Sequence, residues 1–106
     1  MKASPNTVLS EYRARLEEIY GERLVRLVLF GSQARGDANP DSDIDVMIVL
    51  SGPLDDWKEV QRTSMATSEV SLKYDTVISR TFATPDQADK DSGPFYEQVR
   101  HEGVLV

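Results

Sequence analysis

The chain has 106 residues, a formal net charge of -6 and no cysteine. That length makes one domain with a modest core, in which a nucleotide pocket closed on all sides is not expected without a partner. The acidic balance argues against unaided binding to a nucleic-acid backbone, which needs clustered Lys and Arg, and the lack of cysteine excludes disulfides and thiolate metal sites. Met1-Lys-Ala-Ser-Pro5 lacks the apolar stretch of a signal peptide and no run reaches membrane-spanning length, so a soluble cytoplasmic protein is the expectation.

Val8, Tyr12, Leu16, Ile19 and Tyr20 recur at helical spacing, with Ser4 and Pro5 as start signals and Gly21 as a stop; they predict a helix from about Pro5 to Tyr20. Leu24–Phe30 is nearly continuous in β-forming residues and reads as a central strand. Ser32 to Arg35 allows a short helix before Gly36, and Asn39-Pro40-Asp41 centres a turn. Asp43 to Leu50 is a second strand, ended by Ser51-Gly52-Pro53. Leu54, Trp57, Val60 and Met65 suggest a long helix to about Glu69. Leu72 to Ser79 reads as a third strand with Asp75 inside it. Thr84-Pro85-Asp86 resembles a short helix start, and Ser92 precedes a last helix, Pro94 to Glu102, with Phe95, Val99 and Tyr96 facing inward and Gly103 ending it. The order α-β-(short α)-β-α-β-α points to a sheet covered by helices.

The chemistry concentrates between residues 29 and 50. A glycine after a strand lets backbone approach a ligand closely, and the N–H groups of a helix opening at Ser32 favour phosphate. Gly31-Ser32 alone equally describes an ordinary turn. Asp43 and Asp45 are more telling. Positions i and i+2 of a strand share a face, Asp is disfavoured inside strands, and Asp45 is followed at once by Val-Met-Ile-Val-Leu50. Two carboxylates side by side favour a cation between them, and hard oxygen ligands suit magnesium with substrate phosphates. A calcium loop counted from Asp37 fails, because Ser42 and Ile48 stand where a glycine and an acid are required.

Asp75 would join that face if the third strand neighboured the second, and three carboxylates would then suit two magnesium ions; an edge-strand guard is the plainer alternative. Arg35 would meet a phosphate or pair with Asp37. His101 near a helix end favours the helix dipole rather than catalysis, and Trp57 and Tyr74 read as core or interface residues. The chain has no P-loop motif.

Phe30-Gly-Ser-Gln-Ala-Arg-Gly36, followed by Ser42-Asp-Ile-Asp-Val46, resembles the signature of the DNA polymerase β-like nucleotidyltransferase superfamily, and the small size resembles its minimal nucleotidyltransferase (MNT) branch. The likeness extends from the first helix to Phe95-Tyr-x-x-Val-x-x-Glu-Gly-Val104. It implies one minimal nucleotidyltransferase domain over residues 1–106, of α/β (α+β) class with a mixed sheet of three or more strands and helices packed on it. Gly31 and Ser32 would hold a nucleoside triphosphate, with Arg35 a candidate beside them, and Asp43, Asp45 and Asp75 would ligate magnesium, with Asp75 helping to deprotonate an acceptor hydroxyl. The resemblance further implies ATP as donor, AMP transfer onto a partner protein, and a place as antitoxin beside a helical HEPN-type toxin in a hetero-oligomer. The alternative is an antitoxin that neutralises its partner by binding alone.

Overall fold

The computed structural model describes residues 3–39 and 42–106, so Pro40 and Asp41, half of the turn expected there, lie outside the described residues. Helix α1 (Pro5–Tyr20) opens as anticipated: the Ser4 side chain accepts from the Thr7 N–H and Pro5 occupies the first turn, where its missing N–H costs nothing. A single 3-10 turn (Gly21–Arg23) leads into strand β1 (Leu24–Phe30). Helix α2 (Gly31–Arg35) follows without a linker, and then come β2 (Ile44–Leu50), α3 (Asp56–Tyr74), β3 (Ile78–Ala83), α4 (Pro85–Lys90), α5 (Pro94–Glu102) and β4 (Val104–Leu105).

The strands form one mixed sheet in the order β3-β2-β1-β4. β2 runs antiparallel to β1 and parallel to β3, and β4 pairs antiparallel with β1. The parallel β2-to-β3 connection requires a crossover, which α3 supplies. One face carries Leu27, Leu29, Val46, Ile48, Leu50, Ile78 and Phe82, packed against Val8, Leu9, Tyr12 and Leu16 of α1 and Val70 of α3. The opposite face is only partly covered: Met47, Val49 and Ala83 meet Ala88 of α4 and Val99 of α5, with Val28, Phe30 and Tyr96 at the margin. This second face carries the site.

Polar groups inside the first layer are matched. The Thr67 hydroxyl donates to the Thr63 carbonyl at 2.7 Å, so its hydrogen is engaged there and Tyr12 Oη donates to Thr67 Oγ1 at 2.7 Å. Arg80 Nε on β3 donates to Thr63 Oγ1 at 2.7 Å. Glu59, 1% exposed, accepts from Tyr20 Oη, Arg62 Nη1 and the Asp55 N–H. These bonds offset the cost of burying the carboxylate.

Two expectations are corrected. The third strand begins at Ile78, not Leu72, because α3 runs on to Tyr74. Thr63, Ala66, Thr67 and Val70 form a buried row at helical spacing, and the half-buried Tyr74 packs against the same core, which holds residues 72–74 in the last turn. Trp57, 69% exposed, leaves the core half of its core-or-interface reading behind, and Met65 is exposed at 71%, as are Ile19 and Phe95, although Phe95 stacks edge-on against Phe30. The short strand β4 was not anticipated.

Candidate active site

The site is built at one end of the open face, where β1 finishes, β2 begins and α2 turns away. In the sheet register Asp45 lies opposite Phe30 on one side and Ser79 on the other. Asp43, just before β2, falls on the same face as Asp45 by strand alternation, and its Oδ2 accepts a long hydrogen bond from Ser79 Oγ at 3.4 Å. The two aspartates thus converge as expected.

Gly31 explains how Asp45 fits. Its φ is +75°, and a Cβ built there would come within 2.3 Å of Asp45 Oδ2. Only glycine lets the chain bend at this point and the carboxylate lie against the backbone. Helix α2 therefore opens at Gly31, one residue before the expected start, and ends at Gly36 in the left-handed region.

The electrostatics report the crowding of acids. Partial burial pushes the Asp45 carboxyl above the usual aspartate range, Asp43 and Glu102 push it further, and the Arg35 guanidinium opposes them. A carboxylate in that position gains from a nearby cation. The donor set fits one magnesium ion held by Asp43 and Asp45, which would keep waters and take substrate phosphate oxygens for its remaining positions.

Asp75 does not join them. It is exposed and caps α3 in the left-handed conformation (φ 51°, ψ 52°), its N–H directed to the Leu72 and Ser71 carbonyls, while the Thr76 N–H bonds to the Ser71 carbonyl. This is a helix-ending arrangement that Asp tolerates. Among the described residues no group of three acids, histidines or cysteines is gathered to hold a metal. The second magnesium ion, whose ligand was to be Asp75, loses that support. Ser79 occupies the β3 position facing Asp45.

Arg35 makes the pair with Asp37 that one of its two readings holds, and a second pair besides. Its Nε lies 3.2 Å from Asp37 Oδ2 and its Nη1 3.1 Å from Glu102 Oε2. Glu102, at the end of α5, also accepts the Gly31 N–H at 2.9 Å. These contacts hold it below the usual glutamate range, the Gly31 bond contributing most. Neither Glu102 nor Ser79 stood out in the sequence. The only signal for Glu102 was its place before Gly103 in the closing segment, and Ser79 was one unremarked residue of an expected strand. His101 is exposed on α5.

A half-open mixed sheet, with an acid pair on one strand set against the glycine turn that closes the strand beside it, is the arrangement of a nucleotidyl-transfer site. Residues 9–95 match the model of the nucleotidyltransferase domain, and the chain belongs to that family of transferases. It is similar to "Putative protein adenylyltransferase MJ0141" of Methanocaldococcus jannaschii, with 39% identity over 99 residues, 93% of this chain and 95% of that protein. The fold is similar to the crystal structure of a "putative nucleotidyltransferase from Sulfolobus solfataricus" (TM-score 0.64, 21% identity, covering 96% of this chain and 81% of that one). It is also similar to a chain in the crystal structure of a "toxin-antitoxin with AMP-PNP" (TM-score 0.61, 19% identity, covering 89% and 68%).

Proposed function

We propose that this chain is a magnesium-dependent protein adenylyltransferase that transfers AMP from ATP to a hydroxyl of a partner protein, and that the partner is a helical HEPN-type toxin for which the chain is the antitoxin. The observation that carries the reading is the convergence of Asp43 and Asp45 beside Gly31. The name of the 39% identical relative supports adenylyl transfer. The partner rests on the resemblance to MNT antitoxins and on the toxin–antitoxin neighbour with AMP-PNP.

In this reading the acceptor oxygen bonds to the α-phosphorus, the bond from that phosphorus to the α–β bridging oxygen breaks, and pyrophosphate leaves. The hydroxyl proton passes to a carboxylate of the aspartate pair or to water. Magnesium bound to Asp43 and Asp45 would supply charge neutralisation on the phosphate oxygens. The chain's own share is positioning and field. Asp43 and Asp45 fix where the charge is met, Ser79 donates to Asp43, and Gly31 lets the Asp45 carboxylate lie against the backbone of the bend.

Binding without transfer is the second reading. It is favoured by the exposed Trp57, Met65 and Leu72 on α3, at 69%, 71% and 80% exposure, since large apolar side chains in the open mark contact surfaces when they lie together. Incubating the chain with each nucleoside triphosphate, magnesium and a candidate helical HEPN-type protein, followed by intact-mass measurement, tests both. A gain of one AMP on the partner, from ATP alone, is the expected result. A tight complex with no mass gain from any triphosphate would reject the transferase reading in favour of binding alone.

A further inference from the structure

Among the described residues, Glu102 is the carboxylate shown to reach the glycine turn from outside the β1–β2 unit. It belongs to the last turn of α5, remote in sequence, yet its two oxygens hold two parts of the same element: Oε1 takes the Gly31 N–H at 2.9 Å and Oε2 takes Arg35 Nη1 at 3.1 Å. Its side chain is only 15% exposed, whereas Arg35 is 43% exposed, so the carboxylate is the fixed end of the pair. The chain just beyond it is fixed too. A Cβ on Gly103 would meet the Val99 carbonyl oxygen at 2.5 Å and Val28 Cγ1 at 2.6 Å, and the next two residues join the sheet beside β1. Gly31 in turn has the Asp45 carboxylate where its own side chain would be. One residue of backbone is therefore gripped by Asp45 at its Cα and by Glu102 at its nitrogen.

We propose that Glu102 is a positioning residue of the transferase site, which sets the Gly31-Ser32 bend and aims Arg35 so that the bend and Asp45 meet a magnesium-bound nucleoside triphosphate in one arrangement. This rests on the transferase reading above. Alternative packings of the bend would displace the phosphate contacts by fractions of an ångström, and misplacement of about 1 Å costs on the order of a hundredfold in reactions of this kind. Glu102 does this without touching the nucleotide, since both of its oxygens are already engaged with the protein.

The test uses the whole chain with Ala, Asp and Gln at position 102, magnesium with AMP-PNP as the probe, titration calorimetry for affinity, and amide exchange at Gly31 for the bend. Glu102→Gln keeps an acceptor for the Gly31 N–H at full reach but turns an NH2 donor toward Arg35 Nη1, so it is expected to leave Gly31 exchange near wild type and to bind between wild type and Glu102→Ala, about threefold weaker than wild type. Glu102→Asp keeps the charge but is one methylene short. Both Glu102→Asp and Glu102→Ala are expected to weaken binding about tenfold or more and to speed Gly31 exchange, with thermal unfolding confirming that each is folded. Equal or tighter binding by Glu102→Ala would overturn the proposal, since the carboxylate would then be a mere staple or a competitor of phosphate. Loss by Gln as complete as by Ala would overturn it as well. If wild type binds no nucleotide, the transferase reading fails and takes this proposal with it, whereas normal wild-type binding with no acceleration of Gly31 exchange in Ala and Asp overturns this proposal alone.

Discussion

Replacing Gly31 by Ala separates backbone strain from displacement of the acid pair. The backbone there has φ +75°, and forcing an L side chain into the left-handed region costs about 1–2 kcal/mol. For a domain of this size that lowers the melting temperature by on the order of 5–15 °C. The new Cβ also meets Asp45 Oδ2 at 2.3 Å. The carboxylate is the free end of a side chain, so it moves rather than the sheet, and it moves off the position it shares with Asp43. Gly36→Ala is the matched control. Its φ is +80° with nothing within 4 Å of the built Cβ, so it carries the same strain and leaves Asp45 alone. Thermal unfolding should place the two variants within a few degrees of each other. Transfer from ATP, followed by intact mass below either melting point, should fall about a hundredfold in Gly31→Ala and stay within about threefold of wild type in Gly36→Ala. Equal transfer by the two variants would refute the assignment of Gly31 as the seat of Asp45.

Asp75→Asn should leave transfer near wild type and stability within about 0.5 kcal/mol, because Asn also tolerates the left-handed cap; a loss like that of an Asp45 variant, measured in the same assay, would restore Asp75 to the site. Glu59→Ala leaves the Tyr20 hydroxyl without its buried acceptor and should cost about 2–4 kcal/mol by urea unfolding. Burial raises the Glu59 carboxyl, but the Asp55 N–H, Tyr20 and Arg62 outweigh it and hold the group below the ordinary value of 4.5. Its contribution is therefore complete at neutral pH and is lost as the medium is acidified below that value; wild type should lose stability over this range more steeply than Glu59→Ala. Tyr12→Phe removes the bond to Thr67 and should cost about 1 kcal/mol, read in the same unfolding experiment.

Local rules recovered the parts of the fold that local chemistry controls. Ser4-Pro5 and Gly21 bracket α1 because caps act within one turn, and Asp43 and Asp45 share a face because strand geometry leaves no other choice. The third strand was misplaced because Leu72-Lys-Tyr-Asp-Thr-Val-Ile78 carries aromatic and β-branched residues that suit either state. What decides is the buried row Thr63, Ala66, Thr67 and Val70, a tertiary fact. That shift takes Asp75 out of the site and puts Ser79 opposite Asp45. β4 has two residues, too short for any period to show, and exists because β1 offers an unpaired edge. Glu102 looked like a solvated helix end. Its role comes from the return of the chain to the β1 edge, 71 positions after Gly31.

The most direct measurement is nucleotide transfer from labelled ATP, with magnesium and the helical partner present, by wild type, Asp43→Asn and Asp45→Asn, each checked for an intact fold by circular dichroism. The aspartate-pair account predicts label on the partner with wild type and none above background with either variant. Undiminished label with both variants would contradict it.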